Sequence, residues 1–153
     1  MSDRSELALQ LTEAIAAAQG AVQRAGDRAF RAYGLSHRAH AVLNAVDQGG
    51  PDGARPKDIA ELLGVSRAAA TTFIQRLETK RLVDTTRDAA DDRGVRVTLT
   101  RHGLEVLLRV GLLERRLGAR AIEGMPASSL ARAVHVLREF KRRLGEKQIG
   151  VVP

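Results

Sequence analysis

The sequence predicts a mostly α-helical fold that carries one small β-wing of two or three strands. Three observations lead there. Ala, Leu and Arg recur at three- and four-residue spacing over most of the chain, the period of helices with one buried face. Only around DAADDRGVRVTLT, residues 88–100, does the period fall to two, with Val95, Val97 and Leu99 alternating with Arg96, Thr98 and Thr100. Directly before that ribbon, two short helical segments meet at the turn Gly64-Val65-Ser66.

Each element has its own signal. Leu7, Leu11, Ile15, Ala18, Val22, Ala25 and Ala29 form one narrow stripe along a long first helix, a shape suited to packing on partner helices. Gly34 ends it. Ser36 is placed to cap a second helix whose Val42, Leu43 and Val46 turn inward. GGPDGAR, 49–55, is a turn cluster. Pro56 suits the first position of a third helix carrying Ile59, Leu62 and Leu63, and Gly64 stops it. Ser66 can cap the fourth, in which Ala70, Phe73, Ile74 and Leu77 face the core. Strands are expected at 83–87 and 95–99, with Arg93 at the tip between them. Thr100 then caps a fifth helix with Leu104, Leu107, Leu108 and Leu112. Pro126 precedes a sixth, with Leu130, Val134, Leu137, Phe140 and Leu144 on one side.

A chain of 153 residues is long enough to bury a real core in one structural domain. The absence of cysteine removes disulfides and thiolate metal sites. No apolar run reaches the ~20 residues of a membrane span and no signal-peptide pattern opens the chain, so we expect a cytoplasmic protein with no membrane partner. The net charge is +7 and the pI about 10.9, which favours a polyanionic partner, most often nucleic acid. Residues 1–54 carry five basic and six acidic groups, residues 55–101 ten and seven, and residues 109–147 ten and four. The last of these is either a solvated helical face or a surface turned to phosphate.

The pair of helices around Gly64-Val65-Ser66 reads as a helix-turn-helix. If Ala70, Phe73, Ile74 and Leu77 point inward, then Arg67, Ala68, Thr71, Thr72, Gln75 and Arg76 lie outward, beside Ser66 at the helix start. Small side chains let a helix sit deep in a major groove, Thr and Gln can bond base edges or phosphate, and Arg can take guanine or phosphate. A hairpin directly after such a helix is a wing, and an arginine on it can reach the narrow minor groove. Arg93 is the candidate for that contact, with Arg96 beside it and Asp91 as the ion-pair partner that holds Arg93 in place. The plainer reading is a hairpin that merely covers a core edge.

These residues resemble the MarR-type winged helix-turn-helix transcriptional regulators over positions 35–107, most strongly from Ile59 to Gly103. IAELLGVSRAAATTFIQRLETKRLV resembles the family's helix-turn-helix, and DDRGVRVTLTRHG its wing and following helix start, with Asp91 and Arg93 at the Asp-x-Arg positions. The resemblance implies a lobe at 35–101 set on a dimerisation region formed by the long helices of 1–34 and 102–153. It further implies a homodimer on a pseudo-palindromic duplex operator, and a small amphipathic or phenolic ligand between dimer helices and lobe. Arg31, Tyr33, His37 and His40 fall near that junction. Two positions depart from the pattern: Arg81 stands where the family usually has a helix-ending Gly, and Thr85 where it often has Arg. Asp88, Asp91 and Asp92 crowd the wing; with Asp91 paired to Arg93, the other two are expected to repel phosphate and weaken the wing's binding.

His37 and His40, three apart, have metal-ligand spacing, but with no cysteine or nearby carboxylate cluster we expect no metal and no cofactor. Ser36 and Ser66 read as helix caps, and no nucleophile elbow or glycine-rich phosphate loop is present, so no enzyme is expected. A ligand-responsive repressor is the reading the residues favour. A sequence-tolerant architectural DNA binder and a winged-helix module that docks proteins are the alternatives.

Overall fold

The computed structural model of the chain describes residues 3–88 and 91–146, the side chains of residues 91–93 and 146 excepted. Among the described residues, six α-helices and one two-stranded antiparallel sheet follow in order. They are α1 (Asp3–Phe30), α2 (His37–Gln48), α3 (Pro56–Leu63), α4 (Arg67–Thr79), β1 (Val83–Asp88), β2 (Asp91–Leu99), α5 (Arg101–Ala121) and α6 (Ala127–Glu146). The chain divides into two compact units, residues 1–117 and 118–153. In the first unit the helix-turn-helix and wing share one core with Phe30 of α1 and with Val106, Leu107 and Val110 of α5. Leu43, Ile59, Leu77, Val83 and Val97 complete its centre.

The helix ends follow the side chains that cap them. Ser36 Oγ accepts the Ala39 N–H of α2 at 3.1 Å, and the Asp27 carboxylate of α1 accepts the His37 N–H at 2.7 Å, so α1 also helps to start α2. Ser66 does the same for α4, accepting from Ala69 N–H at 3.1 Å. Gly64, at φ +62, closes α3 by donating to Glu61, while Val65 N–H reaches Ala60. The tight turn between α3 and α4 is the result.

α4 ends with a residue that pays in strain. Arg81 N–H donates to Glu78 at 2.8 Å and Leu82 N–H to Leu77 at 3.0 Å, the bond pair that closes a helix through one left-handed residue. That residue is Arg81, at φ +56. Burial of Leu82 against the core holds the turn in place. Thr100 fastens it from the other side. Its hydroxyl donates to the Arg81 carbonyl at 2.7 Å and accepts the Gly103 N–H at 2.9 Å, which caps α5.

The wing pairs Val83 with Leu99 and continues to Arg87 with Val95, after which the register shifts and Asp88 faces Asp91. Ala54, ahead of α3, adds an isolated bridge to Val97, with both N–H···O bonds at 2.9 Å. β2 therefore starts at Asp91 rather than near 95, and Arg93 lies within the strand beside the register shift, not at the hairpin tip. The alternation read from the sequence stops at Val95, yet pairing resumes beyond the irregularity, which no period could reveal.

Several apolar residues expected to line helices do not face this core. Leu62 is half exposed while its neighbours Ile59 and Ala60 are buried. On α5 the buried set is Gly103, Val106, Leu107 and Val110, leaving Leu104, Leu108 and Leu112 outside. Leu7 and Val22 of α1 are also exposed.

Candidate nucleic-acid interface

α4 presents its outer face as the helical period predicts. Ala70, Ile74 and Leu77 are buried and Phe73 is packed against them, so Arg67, Ala68, Thr71, Thr72, Gln75 and Arg76 are all exposed. Ser66 begins this face, but its hydroxyl oxygen is engaged as the helix cap. Thr71 and Thr72 turn their hydroxyl protons back onto the Arg67 and Ala68 carbonyls, at 2.9 and 3.0 Å. What these two threonines then offer outward is lone pairs and methyl groups, suited to base amino groups and to the thymine methyl.

Between α4 and the wing runs a groove of about 420 Å³. Arg67, Thr71 and Gln75 line one side, and Arg55 and Lys57, neither of them singled out by the sequence pattern, line another. Glu78 also borders it, and its carboxylate accepts the Thr85 hydroxyl of β1, which ties helix to wing where the family resemblance would have put an arginine.

The wing base holds a cluster that corrects one expectation. Asp88 is not a solvated carboxylate crowding the wing; it is buried and paired. Its Oδ2 accepts from Arg55 Nε at 3.0 Å and from Arg96 Nε at 2.9 Å, and Arg55 Nη2 stands 2.8 Å away. Arg96 Nη1 also donates to the Gly53 carbonyl at 3.2 Å. Arg96 is thus drawn to the wing base, whereas the other described candidates share the outer face of α4. The side chains of Asp91, Asp92 and Arg93, including the ion pair expected between Asp91 and Arg93, lie outside the described residues.

The four candidates for a ligand pocket separate. A cavity of about 340 Å³ is bounded by α1, α2 and the α3–α4 turn, with His37, Arg38, Gln19, Val22 and Phe73 in its wall. Arg31 and Tyr33 are exposed outside that wall. His40 is buried against the Phe30 ring, with centroids 5.0 Å apart, and the Asn44 amide lies 3.3 Å from its Nε2. Burial pushes the His40 imidazole below its ordinary value, against the pull of the Glu114 carboxylate 3.7 Å away, and His37 adds to the lowering. His40 is therefore a neutral core residue at pH 7. Among the described residues, no group of three or more His, Cys, Asp or Glu is arranged to hold a metal ion.

The sequence model of the MarR family matches residues 33–94, which span α2, the helix-turn-helix and most of the wing. Among solved structures the fold is similar to AbsC, a MarR family transcriptional regulator from Streptomyces coelicolor, at TM-score 0.81 and 20% identity over 96% of this chain and 98% of that one. It is similar to the transcriptional regulator BldR from Sulfolobus solfataricus at TM-score 0.78 and 25% identity, over 91% and 99% of the two chains. The MepR–DNA complex of S. aureus aligns at TM-score 0.79 and 15% identity, over 86% and 96%. Among curated proteins, none matches this chain. The fold is that of winged helix-turn-helix transcriptional regulators.

Proposed function

We propose that this chain, whose residues 33–94 match the sequence model of the MarR family, is a homodimeric, sequence-specific regulator of transcription that binds duplex DNA and acts as a ligand-responsive repressor. The observation that carries the reading is the outer face of α4. Short side chains and two hydroxyl-bearing threonines stand between arginines there, all exposed, with a wing alongside. In this proposal α4 enters a major groove and Arg93 of β2 reaches the adjoining minor groove.

Exposed apolar residues support the dimer. Leu104, Leu108 and Leu112 repeat every four residues on α5 and are each about half exposed, and Val134, Leu137 and Leu144, at intervals of three and seven residues, are exposed to a similar degree on α6. Leaving such stripes in water costs roughly 25 cal/mol per Å² of apolar surface. A second copy related by a two-fold axis buries the same stripe twice, and it sets two α4 helices about one helical turn of DNA apart. A dimer seated on its operator represses by excluding the transcription machinery from that stretch of duplex.

For the ligand we assign the cavity with His37 and Arg38 in its wall, which Arg31, Tyr33 and His40 do not line. An amphipathic or phenolic compound fits its mixed wall, and only a difference in affinity between two arrangements of the lobes can make it a switch. Acting on the chromosome places the protein in the cytoplasm; among the described residues no helix is long and apolar enough to cross a membrane.

Selection of bound sequences from random duplex tests the proposal. A pseudo-palindrome with half-sites about 10 base pairs apart, preferred by roughly 4–10 kcal/mol over random DNA, is expected. Little preference would mark an architectural binder, and no affinity at moderate salt a protein-docking module. Repeating the selection with phenolic compounds present tests the switch.

A further inference from the structure

We propose that the groove between α4 and the wing is a seat for one phosphodiester of the DNA backbone, made by Arg55, Lys57 and Arg67, and that Asp88 positions Arg55 within it. This rests on the DNA-binding reading above and adds Arg55 and Lys57, which lie outside the recognition helix and the wing arginine, to its contacts.

The groove is built rather than incidental. Among the described residues, three cations line it against one carboxylate, that of Glu78, which is already engaged by the Thr85 hydroxyl. Arg55 is the organised member. Two of its nitrogens meet a single oxygen of Asp88, at 3.0 and 2.8 Å, and this fixes the plane of the guanidinium. Nevertheless 44% of the Arg55 side chain stays exposed, while Asp88 is 4% exposed. A buried carboxylate thus holds a half-exposed guanidinium in one orientation, so ordering Arg55 costs little when phosphate arrives.

The mounting is rigid as well. Asp88 also receives Arg96, Arg96 reaches the Gly53 carbonyl, and Ala54 is bonded both ways to Val97. The segment 53–55 and both strands therefore move as one piece. Gly53, at φ +71, is required for this approach, because a Cβ there would lie 2.6 Å from the Val97 carbonyl oxygen. Lys57 and Arg67 add charge from the starts of α3 and α4, where side chains are exposed and reach into the same groove. Thr71 and Gln75 next to them connect the seat to the face that would read bases.

The test is equilibrium binding of the full chain to a selected duplex across a range of salt concentrations. Arg55→Ala and Lys57→Ala, both at exposed positions, should each lower the salt slope by about one unit and weaken binding about tenfold to every sequence alike. Asp88→Asn separates positioning from charge. Removing a negative charge near DNA would by itself tighten binding, whereas loss of the Arg55 anchor should weaken it, roughly threefold or more. Arg55→Lys, which keeps the charge without the two-nitrogen contact, should weaken binding in the same direction and answers the question if Asp88→Asn does not fold. Unchanged slopes for both Arg55→Ala and Lys57→Ala, with the wild type binding normally, would overturn the seat. Tighter binding by folded Asp88→Asn would overturn the role of Asp88. A wild type with no salt-dependent affinity for duplex would instead remove the DNA-binding reading itself.

Discussion

Arg81 occupies a backbone conformation that costs an L-residue with a Cβ about 1–2 kcal/mol, at φ +56. Its two helix-closing bonds and the buried Leu82 that follows leave the chain no other exit from α4. Arg81→Gly should therefore raise stability by about 1 kcal/mol, the strain released less the extra freedom glycine gains when unfolded. A rise in Tm of roughly 3 °C is expected from a scan at fixed pH, using the entropy typical of a chain this long. An unchanged or lower Tm would mean that neighbouring bonds already absorb the strain. The position was visible beforehand, since the resemblance calls for glycine there. Asp88 was not. In the sequence it is one of several acids near a turn, and only the fold brings Arg55, 33 residues away, onto its carboxylate.

At the scale of elements, α5 shows how a single hydrogen sets a packing distance. A Cβ on Gly103 would fall on the carbonyl oxygen of Leu82, so the start of α5 can lie against the β1 entry only with glycine there. Gly103→Ala should cost about 3 kcal/mol, at the upper end of overpacking because the obstructing atom is backbone. Gly111, on the same helix with nothing within 4 Å of an added Cβ, is the control. Gly111→Ala should be neutral or gain up to about 1 kcal/mol from helix propensity alone. Chemical denaturation of the two variants measures the contrast, and equal effects would refute the close approach. Helix starts and stops at this scale were legible: Ser36, Ser66 and Thr100 each accept the N–H that their capping role requires. The start of β2 was not, because an irregular register has no sequence period. Which apolar residues of α3 turn inward was not legible either, because eight residues hold too few turns to choose a face: Ile59 is buried and Leu62 half exposed.

For the molecule as a whole, His40 links stability to pH. It sits in the core among Phe30 of α1, His37 and Asn44 of α2, and Glu114 of α5, neutral because burial outweighs the attraction of Glu114. Its folded pKa lies below the unfolded value, so the unfolded chain binds the proton more readily. The stability contributed is present above the unfolded value of about 6.5 and is lost as pH falls through the folded one. Melting temperature should therefore drop between pH 7.5 and pH 5. In His40→Leu that dependence should flatten, and an equal drop in both proteins would assign it to other groups. By itself the sequence determined which segments are helices, which face of α4 is exposed and that a small β-wing follows, because those properties depend on periodicity and caps within a few residues. Tertiary structure alone decided that His40 is core, that Asp88 is buried beneath two arginines and that Arg55 and Lys57 share a groove with α4. Those depend on contacts between distant segments, and a local pattern carries no information about which distant residue completes a charge or fills a gap.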